Sequence, residues 1–224
     1  MHAQTDKTAI RDAASILLVR GGAERPQVLM GQRGSAAAFM PDKFVFPGGA
    51  LDTGDADIPL AAPLNPECSA RLAQDHAAPH ALAAAAIREL WEETGLALGV
   101  PGDWPDAPSD WQGFAARGLR PDAGALRYIF RAITPPGRPR RFDARFFLAD
   151  ARHVVGDLED FSAACEELSH LHWVPMAEAR RLNLPFITEV VLAEAEASVR
   201  GEVMAPSVPF FDNSTGVSTF RRIA

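Results

Sequence analysis

One segment of this chain, residues 79–95, constrains its fold most, because it combines a strong helix signal with crowded acids. Its first half, His-Ala-Leu-Ala-Ala-Ala-Ala-Ile at residues 80–87, is strongly helix-forming. Pro79 suits the first turn of a helix, where its missing N–H leaves no bond unmade. Gly95 predicts the helix end, because glycine readily adopts the left-handed conformation of a C-terminal cap. The segment therefore predicts one helix that ends at Gly95.

Three acids crowd the last turns of that helix and oppose its stability. Glu89, Glu92 and Glu93 are spaced i, i+3 and i+4, so they project from one face. The helix dipole is negative at this end, where each acid costs about 0.3–1 kcal/mol and mutual repulsion adds to the cost. A bound divalent cation removes the conflict, because hard cations such as Mg²⁺ take oxygen ligands. The alternative is a solvated acidic helix end in which Arg88 pairs with Glu92.

A glycine-rich turn precedes the helix. Residues 44–52, Phe-Val-Phe-Pro-Gly-Gly-Ala-Leu-Asp, predict a short apolar strand broken by Pro-Gly-Gly. Such a turn lets the backbone approach a ligand or a metal closely. The intervening residues 53–79 are rich in Pro, Ala and Asp, and we predict that they are irregular.

Taken together, the two segments resemble the Nudix box, the signature of Nudix hydrolases. Its pattern is G-x5-E-x7-R-E-U-x-E-E-x-G-U, in which U is aliphatic. Gly49 matches its start, and its second half is matched by Arg88, Glu89, Leu90, Glu92, Glu93, Gly95 and Leu96. The resemblance implies the α/β Nudix fold, an α/β/α sandwich built on a mixed sheet.

The chain departs from this pattern at two points. Asp55 stands where the box has its first glutamate. Counting back from Arg88 puts that glutamate at residue 80, and the difference between 80 and 55 implies an insertion of 25 residues. In the family the first glutamate usually supports the box arginine rather than binding metal. Either Asp52 or Asp55 is available to support Arg88 in its place.

Further matches point to a Nudix subgroup that carries a long insertion inside its box. They lie at Arg33 and at residues 39–43, 133–135 and 141–147. The subgroup includes the peroxisomal coenzyme A diphosphatases of mammals and many bacterial relatives. It implies cleavage of coenzyme A or acyl-coenzyme A to phosphopantetheine and adenosine 3′,5′-bisphosphate. Of four positions in a separate coenzyme A motif, only Arg33 matches.

Two other functions stay open. The same chemistry can act on another nucleoside diphosphate compound, such as NADH or ADP-ribose. A chain with this fold can also be a sensor that binds a nucleotide without cleaving it. Such regulators usually lose acids from the box, whereas Glu89, Glu92 and Glu93 are all present here.

The resemblance implies roles for individual residues. The expected catalytic residues are Arg88, Glu89, Glu92 and Glu93. The expected ligands of Mg²⁺ or Mn²⁺ are Glu89, Glu92 and Glu93, with the carbonyl of Gly48 and one distal acid. That acid is Glu167, with Glu166 as the alternative. The expected substrate-binding residues are Arg33, Phe46 and Arg141, because guanidinium groups match phosphate in bidentate fashion. Arg141 lies in an arginine-rich stretch for which a solvated basic face is the alternative.

Outside the box, apolar patterning predicts strands mixed with a few helices. The predicted strands are residues 13–20, 26–32, 44–46, 126–134, 141–149 and 171–174. The predicted helices are residues 111–117, 176–182 and 187–199, so that residues 176–200 form a C-terminal helical region.

Composition suits one domain. At 224 residues with 47% hydrophobic content, we predict a single domain over residues 11–224 after a flexible stretch at residues 1–10. A formal charge of −7 argues against a nucleic-acid-coating protein. Two cysteines are too few for a disulfide framework, and neither a leader peptide nor a membrane-length apolar segment is apparent. We therefore expect a cytoplasmic protein with a small-molecule substrate and no membrane partner. A homodimer would be ordinary for the family.

Overall fold

The computed structural model describes residues 9–74, 77–201 and 207–224. Twelve strands are present in these ranges. They are β1 (Ile10–Arg20), β2 (Gln27–Arg33), β3 (Phe44–Val45), β4 (Gly48–Ala50), β5 (Ala97–Pro101), β6 (Leu119–Pro121), β7 (Arg127–Ile133), β8 (Arg141–Asp150), β9 (Val154–Val155), β10 (Leu168–Pro175), β11 (Val208–Asp212) and β12 (Thr219–Ile223).

Nine of these strands form one mixed sheet in the order β10-β2-β1-β8-β7-β11-β12, with β3 beside β2 and β4 beside β1. The pairs β1–β8 and β7–β11 are parallel, and the other neighbours are antiparallel. A second, three-stranded antiparallel sheet has the order β6-β5-β9.

Five helices accompany the sheets in the described ranges. They are α1 (Pro66–Ala73), α2 (Pro79–Thr94), α3 (Gln112–Ala116), α4 (Met176–Ala179) and α5 (Phe186–Val199). Short 3-10 helices lie at Thr53–Asp57, Ser109–Trp111 and Ala151–His153. None of the described helices combines the length and the apolar character needed to cross a membrane.

The central strand β1 is buried on both faces, which places the sheet between two helical layers. Ala14, Ile16 and Leu18 pack in one hydrophobic cluster with side chains of α1 and α2. Leu17 and Val19 point the other way and pack with side chains of α4 and α5. Alternation of side chains along a strand produces this division. The predicted α/β/α sandwich with a mixed sheet is therefore confirmed.

Helix α2 forms where the sequence predicts it. Pro79 occupies its first turn, and the residues from Ala81 to Leu90 are buried along its length. Gly95 ends it with a φ of 74°, in the left-handed region, and its N–H donates to the carbonyl of Trp91 at 2.8 Å. This conformation favours glycine because it lacks a Cβ. The last turn of α2 therefore carries the acids at a fixed, capped end.

The segment between the two halves of the box is more ordered than the predicted irregular stretch. Helix α1 lies within it, started by Asn65, whose side chain accepts from the N–H of Cys68 at 2.9 Å. Cys68 and Leu72 anchor α1 in the same cluster as α2. An asparagine cap followed by Pro66 was the available signal for this helix.

Other elements also depart from the sequence prediction. Strands β5, β11 and β12 were not predicted, and α4 ends earlier than expected. The predicted flexible stretch at residues 1–10 lies outside the described residues except for its last two, and Ile10 already begins β1. Residues 75 and 76 of the predicted irregular stretch also lie outside the described part.

Candidate active site

Strand β4 lies between β1 and the last turns of α2, so its backbone is close to the three acids. A Cβ on Gly48 would come within 2.4 Å of Ser15 Oγ and 2.6 Å of the Ala14 carbonyl oxygen. A Cβ on Gly49 would come within 2.3 Å of Glu89 Oε1. A side chain on Gly48 would therefore clash with β1, and a side chain on Gly49 would clash with Glu89. This explains why both positions are glycine.

Glu93 is the most deeply buried of the three acids, with 1% of its surface exposed. Its Oε2 accepts the backbone N–H of Gly48 at 2.8 Å. Its Oε1 is also buried and has no hydrogen-bond partner. Since buried polar atoms are nearly always paired, this unpartnered oxygen points to a missing ligand.

Arg88 organises the other acids of the helix. Its Nη1 donates to Glu89 Oε1 at 2.9 Å and to Glu92 Oε2 at 3.0 Å. Its Nη2 donates to the carbonyl of Ala50 at 3.1 Å, which ties α2 to β4. The guanidinium therefore orients two carboxylates and the adjacent strand together.

Asp55 is the residue that supports Arg88. Its Oδ1 and Oδ2 accept from Arg88 Nε and Nη2 at 2.9 and 3.1 Å, and it is 2% exposed. Asp55 is itself held by the N–H of Asp52 at 2.8 Å. The side chain of Asp52 is 63% exposed and lies 3.7 Å from Arg88. Of the two aspartates left open by the sequence, Asp55 replaces the family's first glutamate.

Burial sets the electrostatics of the acids. It raises the pKa of Glu89 to about 7, although the charge and hydrogen bond of Arg88 oppose it. Burial, reinforced by the charge of Glu89, raises the pKa of Glu93 well above its usual value. Burial also raises the pKa of Glu92, against Arg88. For Arg88, burial lowers the pKa, but the hydrogen bond to Asp55 and the neighbouring carboxylates outweigh it and leave it raised.

Of the two candidate distal acids, Glu167 is the one that faces the acids of α2. Its Oε1 accepts from Arg33 Nη2 at 2.7 Å. Burial is the main cause that raises the pKa of Glu89 and of Glu93, and the charge of Glu167 adds to it in both cases. Glu166 is exposed, and among the described residues its side chain shares no hydrogen bond or ion pair with these acids. Arg33 therefore also lies at the edge of the acid site.

The two other predicted substrate-binding residues lie elsewhere. Phe46 is 4% exposed and packs in the hydrophobic core on the α5 side of the sheet, so its ring offers almost no surface to a ligand. Arg141 donates to the backbone carbonyls of Thr134, Asn213 and Ser214 at 3.0 to 3.1 Å. Arg141 therefore fixes the turn after β11 in this structure, and the substrate-binding roles of Phe46 and Arg141 stay predictions.

The donor set fits a hard divalent cation, because it consists of carboxylates with one unpartnered buried oxygen. Within residues 9–74, 77–201 and 207–224, no three His, Cys, Asp or Glu side chains already stand in metal-holding geometry. The hydrogen bonds explain this, since Glu89 and Glu92 are turned toward Arg88 while Glu93 is turned toward Gly48. Glu93 Oε1 is the oxygen that is free to bind. Gly48 touches the site through its N–H, and its carbonyl ligand role stays a prediction.

Sequence reasoning found the acids and missed the contacts that hold them. The Gly-Gly pair indicated a close approach of the backbone to another group, but not that the approaching groups are β1 and Glu89. No sequence signal indicated that Arg33 pairs with Glu167, or that the N–H of Cys165 donates to the carbonyl of Glu92 at 2.8 Å. Both contacts join segments that are far apart in the chain.

Comparison with known proteins identifies the family. No protein-family model matches the chain. A Caenorhabditis elegans protein named "Putative nudix hydrolase 7" is 32% identical over 181 residues, 75% of this chain and 52% of that protein. The chain thus spans about half the length of this curated relative.

Solved structures extend the likeness to nearly the whole chain. A NUDIX hydrolase from Nitrosomonas europaea has 13% identity and a TM-score of 0.50, covering 86% of this chain and 92% of that one, which shows the fold alone. A NUDIX hydrolase from Alicyclobacillus acidocaldarius is 32% identical with a TM-score of 0.65, covering 89% of this chain and 96% of that one. Since the likeness covers 96% of a solved relative at 32% identity, this chain belongs to the Nudix hydrolase family.

Proposed function

We propose that the chain hydrolyses the diphosphate bond of a nucleoside diphosphate compound with Mg²⁺ or Mn²⁺ as cofactor. The observation that carries this proposal is the buried, unpartnered Oε1 of Glu93 beside Glu89, at the acid end of a Nudix box. An uncompensated buried carboxylate costs stability, and a bound cation would remove that cost.

The chemistry requires water to attack one phosphorus in line while negative charge spreads over the non-bridging oxygens. A bound divalent ion would lower the pKa of a water molecule and neutralise those oxygens. Glu89, Glu92 and Glu93 would hold the ion, and Arg88 would keep Glu89 and Glu92 oriented from behind. Asp55 in turn fixes Arg88, so the acid face is set before substrate arrives.

The finer proposal is that the substrate is coenzyme A or acyl-coenzyme A. Water would break the P–O–P bond to give phosphopantetheine and adenosine 3′,5′-bisphosphate. Support comes from the resemblance to the insertion-bearing subgroup and from Arg33, the one match to the coenzyme A motif. Arg33 also lies at the edge of the acid site, where a diphosphate would have to bind.

The test is hydrolysis of a substrate panel with Mg²⁺ and with Mn²⁺, with products identified by mass. The panel contains coenzyme A, acyl-coenzyme A, NADH, ADP-ribose and nucleoside triphosphates. Release of phosphopantetheine that EDTA stops is the expected result. Cleavage of NADH or ADP-ribose alone would keep the chemistry and overturn the coenzyme A proposal. Tight nucleotide binding with no cleavage of any compound would overturn the hydrolase proposal in favour of a sensor.

A further inference from the structure

The loop that precedes β10 holds the backbone of Glu167 at two nearby points. On one side, the N–H of Cys165 donates to the carbonyl of Glu92 at 2.8 Å, which fastens the loop to the last turn of α2. On the other side, Leu168 pairs with Arg33 in the sheet. The backbone of Glu167 is therefore fixed between the catalytic helix and β2, and only its side chain stays free to move.

Arg33 is positioned to restrict the movement of the Glu167 side chain. It is the last residue of β2, and its backbone bonds to both Asp42 and Lys43 across the hairpin. Its side chain is 17% exposed, against 53% for Glu167, so the guanidinium is the better-held partner of the pair. Arg33 Nη2 meets Glu167 Oε1 at 2.7 Å. An exposed carboxylate is thus bound by a largely buried arginine.

Charge explains why this pairing is needed. Glu167 lies within electrostatic reach of Glu89 and Glu93, which repel it. Arg33 lies within reach of Glu93 as well, where its positive charge acts in the opposite sense. In the absence of Arg33, repulsion would drive the Glu167 carboxylate toward solvent, because no other described side chain bonds to it.

We propose that Arg33 is a positioning residue, whose guanidinium holds the Glu167 carboxylate beside the acid face of α2 as an additional cation ligand. This proposal rests on the proposed metal-dependent function. It assigns Arg33 a role through Glu167, which differs from direct contact with a substrate phosphate. Glu167 would be the residue that touches the ion, and Arg33 would determine where its carboxylate stands.

The experiment is a double-mutant cycle on the full chain with two readouts. Mn²⁺ affinity is measured directly by calorimetry with the metal alone, and kcat and KM are measured on the best substrate of the panel. The variants are Arg33→Gln, Glu167→Gln, the double variant and Arg33→Lys. Glu159→Gln is the matched control, because Glu159 belongs to the same loop and pairs with a different arginine, Arg20. Thermal unfolding checks that each variant folds.

The expected result is that Arg33→Gln and Glu167→Gln each lower Mn²⁺ affinity and kcat by about tenfold, the size seen when a residue that orients a ligand is lost. The double variant should lose no more than either single variant, since both remove the same carboxylate from the site. Arg33→Lys should recover part of the loss, because lysine also donates to a carboxylate. Glu159→Gln should behave as wild type.

Two results would overturn the proposal. The first is an unchanged or higher Mn²⁺ affinity in Arg33→Gln. The second is that Arg33→Gln raises only KM and that its effect and the effect of Glu167→Gln multiply in the double variant. That result would mean that Arg33 binds substrate directly. If the wild-type chain cleaves no compound of the panel, the proposed function fails, whereas the Mn²⁺ affinities still decide the role of Arg33.

Discussion

Two buried arginine–acid networks in this molecule differ in charge balance. The first, the sheet network, consists of Asp12, Arg131, Asp143 and Arg145 on β1, β7 and β8. Arg131 Nε and Nη2 meet the two carboxylate oxygens of Asp143 at 2.8 and 2.7 Å. Arg145 bridges Asp143, at 3.2 Å, and Asp12. In these contacts between described residues, two arginines thus face two aspartates.

The second, the α2 network, consists of Asp55, Arg88, Glu89, Glu92 and Glu93. Arg88 bonds to three of the four acids, Asp55, Glu89 and Glu92, and Glu93 Oε1 is left buried without a partner. Both aspartates of the sheet network face arginine, whereas Glu93 of the α2 network leaves a buried oxygen open to a cation. The difference in balance distinguishes a network that holds strands together from one that is suited to bind a cation.

The largest effect is expected when an acid of the α2 network is neutralised. Glu93→Gln and Glu92→Gln should each lower turnover by at least about 100-fold, because losing a metal ligand should cost at least as much as losing a residue that orients one. The fold should persist, and Glu93→Gln should unfold no more easily than wild type without metal, since a buried uncompensated carboxylate is removed. Turnover assays and thermal unfolding measure both effects.

Glu166→Gln is the matched control for these variants, because Glu166 is exposed and close in sequence to the site. Its turnover should equal that of wild type. Near-normal turnover in both Glu92→Gln and Glu93→Gln would mean that the excess negative charge of the α2 network has no chemical role.

Removing the central aspartate from each network tests the comparison next. Asp143→Asn and Asp55→Asn should each cost about 3–5 kcal/mol of unfolding free energy, because each removes a buried carboxylate charge that faces buried arginine. Only Asp55→Asn should also lower turnover per folded molecule, since Asp55 orients Arg88 and thereby Glu89 and Glu92. Urea unfolding and kcat per folded molecule separate the two effects. Equal turnover losses in both variants would contradict the assignment of different roles.

The parts predictable from sequence were those with a local signal. Helix α2 was predicted at both ends because Pro79 and Gly95 mark its first turn and its cap. The box acids were predicted from their spacing on one helix face. The α/β/α sandwich was implied by the resemblance to the Nudix box, and apolar patterning predicted the strand at residues 13–20 that belongs to β1.

What sequence reasoning missed depends on long-range contacts. The sequence could not decide whether Asp55 or Asp52 supports Arg88, because the answer depends on how the chain turns before α1. In the structure Asp55 bonds to Arg88 at 2.9 Å, whereas Asp52 lies 3.7 Å away. Phe46 was assigned to substrate although its side chain faces the core, since the local pattern does not say which face of the turn is buried. Strands β11 and β12 lack a strong alternating signal and owe their place to pairing with β7.

Metal binding should stabilise the folded chain through the α2 network alone. At about 100 times its dissociation constant, Mn²⁺ should raise the unfolding free energy of wild type by about 2.7 kcal/mol, because it binds the folded state in preference to the unfolded one. Mn²⁺ should raise the unfolding free energy of Asp143→Asn by the same amount, although this variant is less stable than wild type without metal. Glu93→Gln should gain much less at the same Mn²⁺ concentration, and an equal gain would place the ion elsewhere. Urea unfolding with Mn²⁺ or with EDTA gives the increments.

The smallest expected effect is the pH dependence of stability in the metal-free chain. Burial raises the pKa of Glu89 from 4.5 to about 7, and burial with the charge of Glu89 raises the pKa of Glu93 well above 4.5. Above about pH 4.5 the folded chain therefore binds more protons at these groups than the unfolded chain, so the unfolding free energy falls as pH rises toward the folded pKa.

The difference between wild type and Glu93→Gln isolates this effect from other titrations. In EDTA, the stability of wild type relative to Glu93→Gln should fall as pH rises from about pH 5 to about pH 7, because the folded chain keeps a proton on buried Glu93 that the unfolded chain loses. Asp143→Asn should keep the full wild-type pH dependence of stability, since Glu89 and Glu93 are unchanged in that variant. If the dependence of unfolding free energy on pH were unchanged in Glu93→Gln but lost in Asp143→Asn, the roles assigned to the two networks would have to be exchanged. Saturating Mn²⁺ should flatten the wild-type slope, because a bound cation favours the ionised carboxylates over the protonated ones.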